Sequence, residues 1–306
     1  MKAAVTTKYG APDVIQIQDL PKPKIKDNEI LIKVMAATVN SGDVRIRGLR
    51  AGGLIPFLMR LIFGWNRPKS GVQGLMFSGI IEEIGSAVDN HKVGDEVFGS
   101  AGMNMGAHAE YMKLKGKTNT LIKKPANASF NEAAALVFGG MSAIYFLERA
   151  GIKSLNKPEV LIYGATGSVG SASVEIAKHF GATVTAVCSK QGEAMAKALG
   201  ADQIVIYTEQ KISELNQKFD IVFDAVDKIK KKDAQSILKP GGKFVTVGGM
   251  DVAKETGGQL DFLKRLFEAG ELHANIDKTY KLEEIVEAHT YVDSERKKGN
   301  VVMTIG

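Results

Sequence analysis

The sequence predicts an α/β plus β protein of two domains, an antiparallel barrel-like or sandwich domain followed by a helix-covered parallel sheet. Two observations carry this. Residues 1 to about 125 hold short runs rich in β-branched residues, separated by Gly, Pro, Asn and Asp, the pattern of an antiparallel β domain. From about residue 130 helix-like and strand-like segments alternate, which predicts parallel strands with helices on both faces. A chain of 306 residues suits two such domains.

Taken in order, the predicted strands of the first part are "AAVTT", "VIQIQDL", "EILIKVMAATVN", "FSGIIEEIG", "DEVFGS" and "HAEYMKL". "NEAAALVFGGMSAIYFLERAG" has apolar residues at three- and four-residue spacings and reads as a helix. The second part continues with strand "EVLIYGA", helix "SVGSASVEIAKHF", strand "TVTAVC", helix "GEAMAKALG" and strands "QIVIY" and "FDIVFDAV". Helix "KDAQSILKP" and strand "KFVTVGG" follow, and the tail from Lys278 gives one more helix and a closing strand. No internal repeat or low-complexity tract interrupts this order.

Composition narrows the class. Hydrophobic residues make up 44% of the chain, enough for a sizeable core rather than disorder. No apolar run approaches the ~20 residues that span a bilayer, and the start lacks an apolar signal core, so a cytoplasmic protein is expected. The single cysteine, Cys188, excludes internal disulfides and sites needing several thiolates. The net charge of +6 fits a nucleic acid, an anionic membrane surface or an anionic cofactor; because the lysines are scattered, a solvated surface is the favoured reading.

The motif that carries chemistry is "YGATGSVG", residues 163–170, between a strand and a helix. Against G-x-G-x-x-G the first glycine is replaced by Ala165, with Gly164 relaxing the turn just before it. Gly167 allows the backbone to approach a pyrophosphate, and Gly170 allows helix and strand to pack closely. The phosphates would rest on the N–H groups at the helix start. The alternative is an ordinary strand-to-helix turn. An NAD site places an acid about 20 residues on, at the end of the second strand. Here that strand ends in Cys188, Ser189 and Lys190. A hydroxyl and an ammonium suit a 2′-phosphate instead, so NADP(H) is the expected cofactor unless Lys190 is one more surface lysine.

With these parts in this order, the chain resembles the medium-chain dehydrogenase/reductases. "NSGD" at 40–43, "GLMFSGIIEEIGSAVDNHKVGDEVFG" at 74–99, "GAHAEY", "YGATGSVG", "LGAD", "LKPGGKFVTVGG" and "GNVVMTIG" carry the resemblance over nearly the whole length. The branch is the quinone oxidoreductase-like one, whose glycine turn commonly reads G-A-S-G-G-V-G. The resemblance implies a GroES-like catalytic β-barrel over 1–126, completed by 270–306, and a Rossmann cofactor domain over 127–269. It also places Thr166, Ser168 and Val169 in the phosphate loop, Val247, Gly248 and Gly249 beside the nicotinamide, and Tyr207 on the adenosine side.

Many relatives hold a catalytic zinc through Cys, His and Cys; here those positions are Asn40, Leu75 and Phe138. The five histidines show no ligand spacing, so no metal is expected. Without zinc to polarise a carbonyl, a conjugated acceptor is the easier substrate, because hydride charge spreads onto an oxygen that hydrogen-bond donors can stabilise. The expected activity is reduction of a quinone or α,β-unsaturated carbonyl. By resemblance Asn40 belongs at the nicotinamide end, orienting the ribose or donating to the substrate oxygen; the alternative is a turn asparagine. Asp43 is expected to cap the next helical turn. Ser142 stands where relatives carry a Thr facing the nicotinamide. Asn300 replaces a Lys that touches the cofactor, and Met76 an Asp on the substrate floor. No general acid stands out; Tyr9 and Tyr145 are candidates by side-chain chemistry alone.

The segment 50–71 is apolar from Leu54 to Trp65, interrupted by Pro56, Arg60 and Gly64. A one-sided surface helix fits it poorly. Three readings stand: ordinary core packed on the barrel, a substrate wall of Phe57, Leu61 and Trp65 with Met76, or a dimer or membrane-surface contact helped by Arg50, Arg60, Arg67 and Lys69. Competing functions are a zinc-free alcohol or aldehyde reductase, and an NADPH-binding protein with an RNA-binding or structural role. The absence of an aromatic-and-basic strip argues against nucleic acid. A homodimer is expected.

Overall fold

The computed structural model describes residues 1–50, 55–248 and 253–306. Contacts divide the chain into Met1–Val137 with Ile276–Gly306, and Phe138–Asn275. The division falls inside a helix, at 137/138 rather than 126/127, and the return to the first unit begins at 276 rather than 270.

The first unit begins with a two-stranded antiparallel pair, β1 (Lys2–Thr6) and β2 (Ile15–Asp19). Next come β3 (Glu29–Thr38), the helices α1 (Ser41–Gly48) and α2 (Ile55–Phe63), β4 (Met76–Ile84), β5 (Glu96–Ser100), β6 (Tyr111–Lys115) and β7 (Leu121–Lys123). Helix α3 (Phe130–Arg149) crosses into the second unit. It is long and apolar enough to cross a membrane, against the expectation of no such run, yet 67% of that stretch is buried within the protein. It is a core helix.

The second unit alternates β8 (Glu159–Tyr163), α4 (Ser168–His179), β9 (Thr183–Cys188), α5 (Glu193–Ala198), β10 (Gln203–Ile206) and β11 (Phe219–Asp224). It then adds α6 (Lys231–Ser236), β12 (Leu238–Thr246) and α7 (Gly257–Glu268). The five strands are all parallel in the order β10-β9-β8-β11-β12. β8 lies at the centre with Val160, Leu161 and Ile162 fully buried, as a strand covered on both faces requires. Two boundaries differ from expectation. α6 stops at Ser236 because Pro240 forces the preceding backbone to extend, and Leu238 already pairs with Phe219 before the ladder shifts register. α7 was not foreseen; Thr256 and Gln259 close a reciprocal cap on its first turn, and Leu260, Leu263 and Leu266 bury one face.

The chain returns to the first unit through β13 (Ile276–Lys281), α8 (Ile285–Asp293) and β14 (Asn300–Thr304). β14 pairs antiparallel with β3, giving the sheet order β13-β14-β3-β4-β5-β7, with β6 also on β3. Ile30, Ile32, Val34, Phe77, Ile81 and Val97 form the heart of its core.

The segment 50–71 departs most from expectation. Residues 51–54 lie outside the described residues. α2 that follows is a helix with no buried residue, which overturns the reading as ordinary core. Phe57, Leu58, Leu61, Ile62 and Trp65 are 49–56% exposed. Gly64 adopts φ +124°, a conformation open to glycine, and ends the helix.

Candidate active site

The end of β8 sets the geometry. Gly164 turns the chain at φ +76°, and its N–H donates to the Val187 carbonyl at 2.9 Å, as the Ala165 N–H does at 3.1 Å. The turn is thereby fixed to β9. A Cβ on Gly170 would lie 2.1 Å from the Gly164 carbonyl oxygen and 2.8 Å from Ala165 Cα, so only glycine lets α4 start this close to the strand it leaves. Gly167 differs. Its Cβ would meet nothing nearer than the Gly164 oxygen at 3.4 Å, and its φ of −81° is open to any residue. Gly167 is also the N-cap of α4, and no side chain caps that helix, where Ser, Thr, Asp or Asn would stabilise it. The fold itself does not require glycine here. The opening suits an anionic group held by backbone N–H groups at a helix start. Thr166, Ser168 and Val169 line the same turn and are buried.

The neighbouring strand ends supply the remaining expected residues. Ser189 is half-buried at the end of β9. The exposed Lys190 lies 2.6 Å from the Glu193 carboxylate, and the hydrogen bond to Glu193 raises its pKa. Glu193 is a residue the sequence reading missed, although its i,i+3 spacing in a helical turn was legible. Tyr207 is 48% exposed beyond β10. Its ring is 6.3 Å from that of Tyr163, a second missed residue, brought there by the strand order. Val247 N–H donates to the Asp224 carbonyl at 3.0 Å. Gly248 is buried and close to Asp227, whose Oδ1 would lie 1.9 Å from a Cβ at that position. Gly249 lies outside the described residues. The fully buried Asp224 carboxylate accepts from the N–H groups of Val226, Lys228 and Ile229; burial nevertheless raises its pKa. Ser142 is half-buried on α3.

In the first unit Asn40 is 3% exposed and is the N-cap of α1. Its Oδ1 accepts from the N–H groups of Gly42 at 2.8 Å and Asp43 at 3.2 Å, and its Nδ2 donates to Thr38 Oγ1 at 3.3 Å. Asp43 completes the reciprocal cap by accepting from the Asn40 N–H at 2.9 Å. Burial pushes the Asp43 carboxyl up to about 7, against the stabilising bond from Asn40. Behind this cap His108 meets the Thr38 carbonyl at 3.0 Å and packs edge-on against His289, their ring centroids 5.8 Å apart. Met76 begins β4 and is buried, so it does not share the exposed face of Phe57, Leu61 and Trp65. Asn300 is buried at the start of β14. Among the described residues no cluster of three His, Cys, Asp or Glu is arranged to hold a metal.

The chain matches the alcohol dehydrogenase GroES-like domain over residues 26–145. It matches zinc-binding dehydrogenase descriptions over 168–273 and 250–303. The 2-methylene-furan-3-one reductase of Solanum lycopersicum is 33% identical across 99% of this chain and 79% of its own length. The chain is a medium-chain dehydrogenase/reductase. This medium-chain dehydrogenase/reductase is also 30% identical to the chloroplastic NADPH-dependent alkenal/one oxidoreductase of Arabidopsis thaliana, over 99% of the chain and 79% of that protein. The solved quinone oxidoreductase of Coxiella burnetii superposes with a TM-score of 0.88 at 30% identity, covering 100% of this chain and 99% of that one. The GroES-like and Rossmann parts are therefore the family's two domains, and the chain sits on its quinone oxidoreductase-like side. The chloroplastic relative means that compartment does not follow from the fold.

Proposed function

We propose that this protein is an NADPH-dependent, zinc-independent oxidoreductase acting on a quinone or α,β-unsaturated carbonyl. Oxidoreductase chemistry with NAD(P)H is common to the family members it resembles. The observation that carries the cofactor site is Gly167, an uncapped helix start whose glycine nothing in the protein requires. The turn would hold the pyrophosphate on backbone N–H groups, and Ser189 and Lys190 would receive the 2′-phosphate. The bound cofactor supplies hydride. Tyr207, with Tyr163 beside it, would flank the adenosine, and Val247 and Gly248 would border the nicotinamide.

Zinc independence is supported by donor chemistry. At the metal-ligand positions of the zinc-dependent relatives, Leu75 and Phe138 have no side-chain ligand atom, and Asn40 Oδ1 is engaged by two backbone N–H groups. A conjugated acceptor suits such a site, because the charge that arrives with hydride spreads onto an oxygen that donors can stabilise. We assign Asn40 and Ser142 to the reacting end. Asn40 positions its loop as a helix cap, and Ser142 offers a hydroxyl from the half-buried face of α3. The names of the two plant relatives and the solved bacterial quinone oxidoreductase support this substrate class.

The test is NADPH oxidation across quinones, enones and simple aldehydes, with metal analysis on the same preparation. Turnover of quinones or enones that survives a chelator, in protein without stoichiometric zinc, is the expected result. Turnover confined to simple aldehydes, lost when zinc is removed, would overturn the assignment.

A further inference from the structure

We infer that α2 docks the protein onto an anionic lipid surface, lying in the plane of the interface with Phe57, Leu58, Leu61, Ile62 and Trp65 turned into it. Three independent observations converge on this occupant: the shape of the apolar face, the way it is held, and the charge around it.

At 100° per residue, positions 57, 58, 61 and 62 fall within an arc of about 140° on one side of the helix. These are the side chains left about half exposed, while Ile55, Met59 and Phe63, which continue the helix surface beyond Ile62, are partly covered. Trp65, beyond the helix end, folds back with its ring edge-on to Phe57 at 5.7 Å, which extends the same face. At nine residues the helix is far too short to span a bilayer. Aromatic and aliphatic side chains on one side with basic residues nearby make an interfacial helix.

The face is held open. Tyr9 donates its hydroxyl to the Gly64 carbonyl at 2.7 Å, and Arg60 donates to the Trp65 carbonyl while lying 5.4 Å from the Tyr9 ring centroid. Lys69 N–H closes on the Phe63 carbonyl at 2.6 Å. The polar bonds thus secure the end of the helix to the β unit and leave the apolar arc pointing outward.

Residues 44–81 contain six Arg or Lys and no Asp or Glu, matching by themselves the +6 net charge of the chain. Arg47 is buried on Asp293, Arg50 reaches the same carboxylate at 3.1 Å, and Arg60 is engaged as described, whereas Arg45, Arg67 and Lys69 are exposed. This charge selects the occupant. A second copy docked through the same patch would set the exposed Arg45, Arg67 and Lys69 against the same cations of its partner. Anionic headgroups at the rim of an apolar phase satisfy both the cations and the arc.

Trp65 is the only tryptophan, so its fluorescence reports on this face alone. Added to the full-length protein, phosphatidylcholine vesicles containing phosphatidylserine should blue-shift that emission and sediment the protein at least about tenfold more strongly than phosphatidylcholine alone, with the difference shrinking in high salt. Leu58→Asp with Ile62→Asp should abolish the binding with unchanged melting temperature and unchanged turnover of a water-soluble quinone. Arg67→Glu with Lys69→Glu should remove the preference for anionic lipid, and keeps the test open if the first pair fails to fold. An unshifted Trp65 emission with anionic vesicles overturns the inference. So does undiminished sedimentation of the variants, or a solution dimer that the Leu58/Ile62 variant dissociates.

Discussion

The ammonium of Lys190 lies 2.6 Å from the carboxylate of Glu193, at the end of β9 where the sequence offers no acid for a ribose hydroxyl. In the proposed site the pair would make the cofactor preference a competition, because a 2′-phosphate would have to share or displace Glu193 to bond Lys190. Both side chains are largely exposed, so their pairing is weak. Lys190→Ala should weaken NADPH selectively and leave NADH nearly unchanged. Glu193→Gln should do the opposite and tighten NADPH. Dissociation constants for both cofactors check this; equal losses for NADPH and NADH in Lys190→Ala would remove Lys190 from the site.

Gly167 and Gly170 should separate binding from folding. Gly170→Ala places a methyl 2.1 Å from a backbone oxygen and should lower stability by at least about 1–3 kcal/mol. Gly167→Ala has room within the protein, so its melting temperature should barely move while NADPH affinity falls about tenfold or more, equivalent to ~1.4 kcal/mol. Parental NADPH affinity in Gly167→Ala would show that no phosphate approaches that residue.

Two buried titrations in the first unit oppose one another. Asp43 is raised from 3.8 to about 7 by burial. Between those values the unfolded chain loses its proton and the folded one keeps it, so this group lowers stability as pH rises through that window. His108 is lowered from 6.5 to about 4 by burial, and burial also holds His289 well below its ordinary value. The unfolded chain therefore binds protons first as pH falls below 6.5, and stability drops toward acid. Asp43→Asn keeps an oxygen to accept from the Asn40 N–H and removes one of the two effects. The variant should gain on the parent by up to about 4 kcal/mol as pH rises from 4 to 7. A melting-temperature difference that does not change across that range would contradict the buried, protonated Asp43.

Much of the fold was legible because local patterns repeat the logic of the whole. Runs rich in β-branched residues, bounded by turn residues, marked β3 and β4, and "EVLIYGATGSVG" carried strand, turn and helix start within twelve residues. The pairing of Asn40 with Asp43 was legible too, since a cap and its third helical residue are three positions apart. The start of α7 carries the same signature in Thr256 and Gln259. Tyr163 and Tyr207 could not be paired from sequence, because they stand 44 residues apart, at the ends of β8 and just past β10, which only the order β10-β9-β8 brings near.

The sequence by itself determined the family, the two-domain order and the glycine turn, because each depends on residues within a few positions of one another or on blocks in fixed succession. The tertiary structure decided what α2 is. Its composition is that of core, and an apolar run reads the same whether or not another layer covers it. Burial depends on what the rest of the chain places against the helix, and here polar bonds from Tyr9 and Arg60 fix its end while five large apolar side chains stay in contact with solvent.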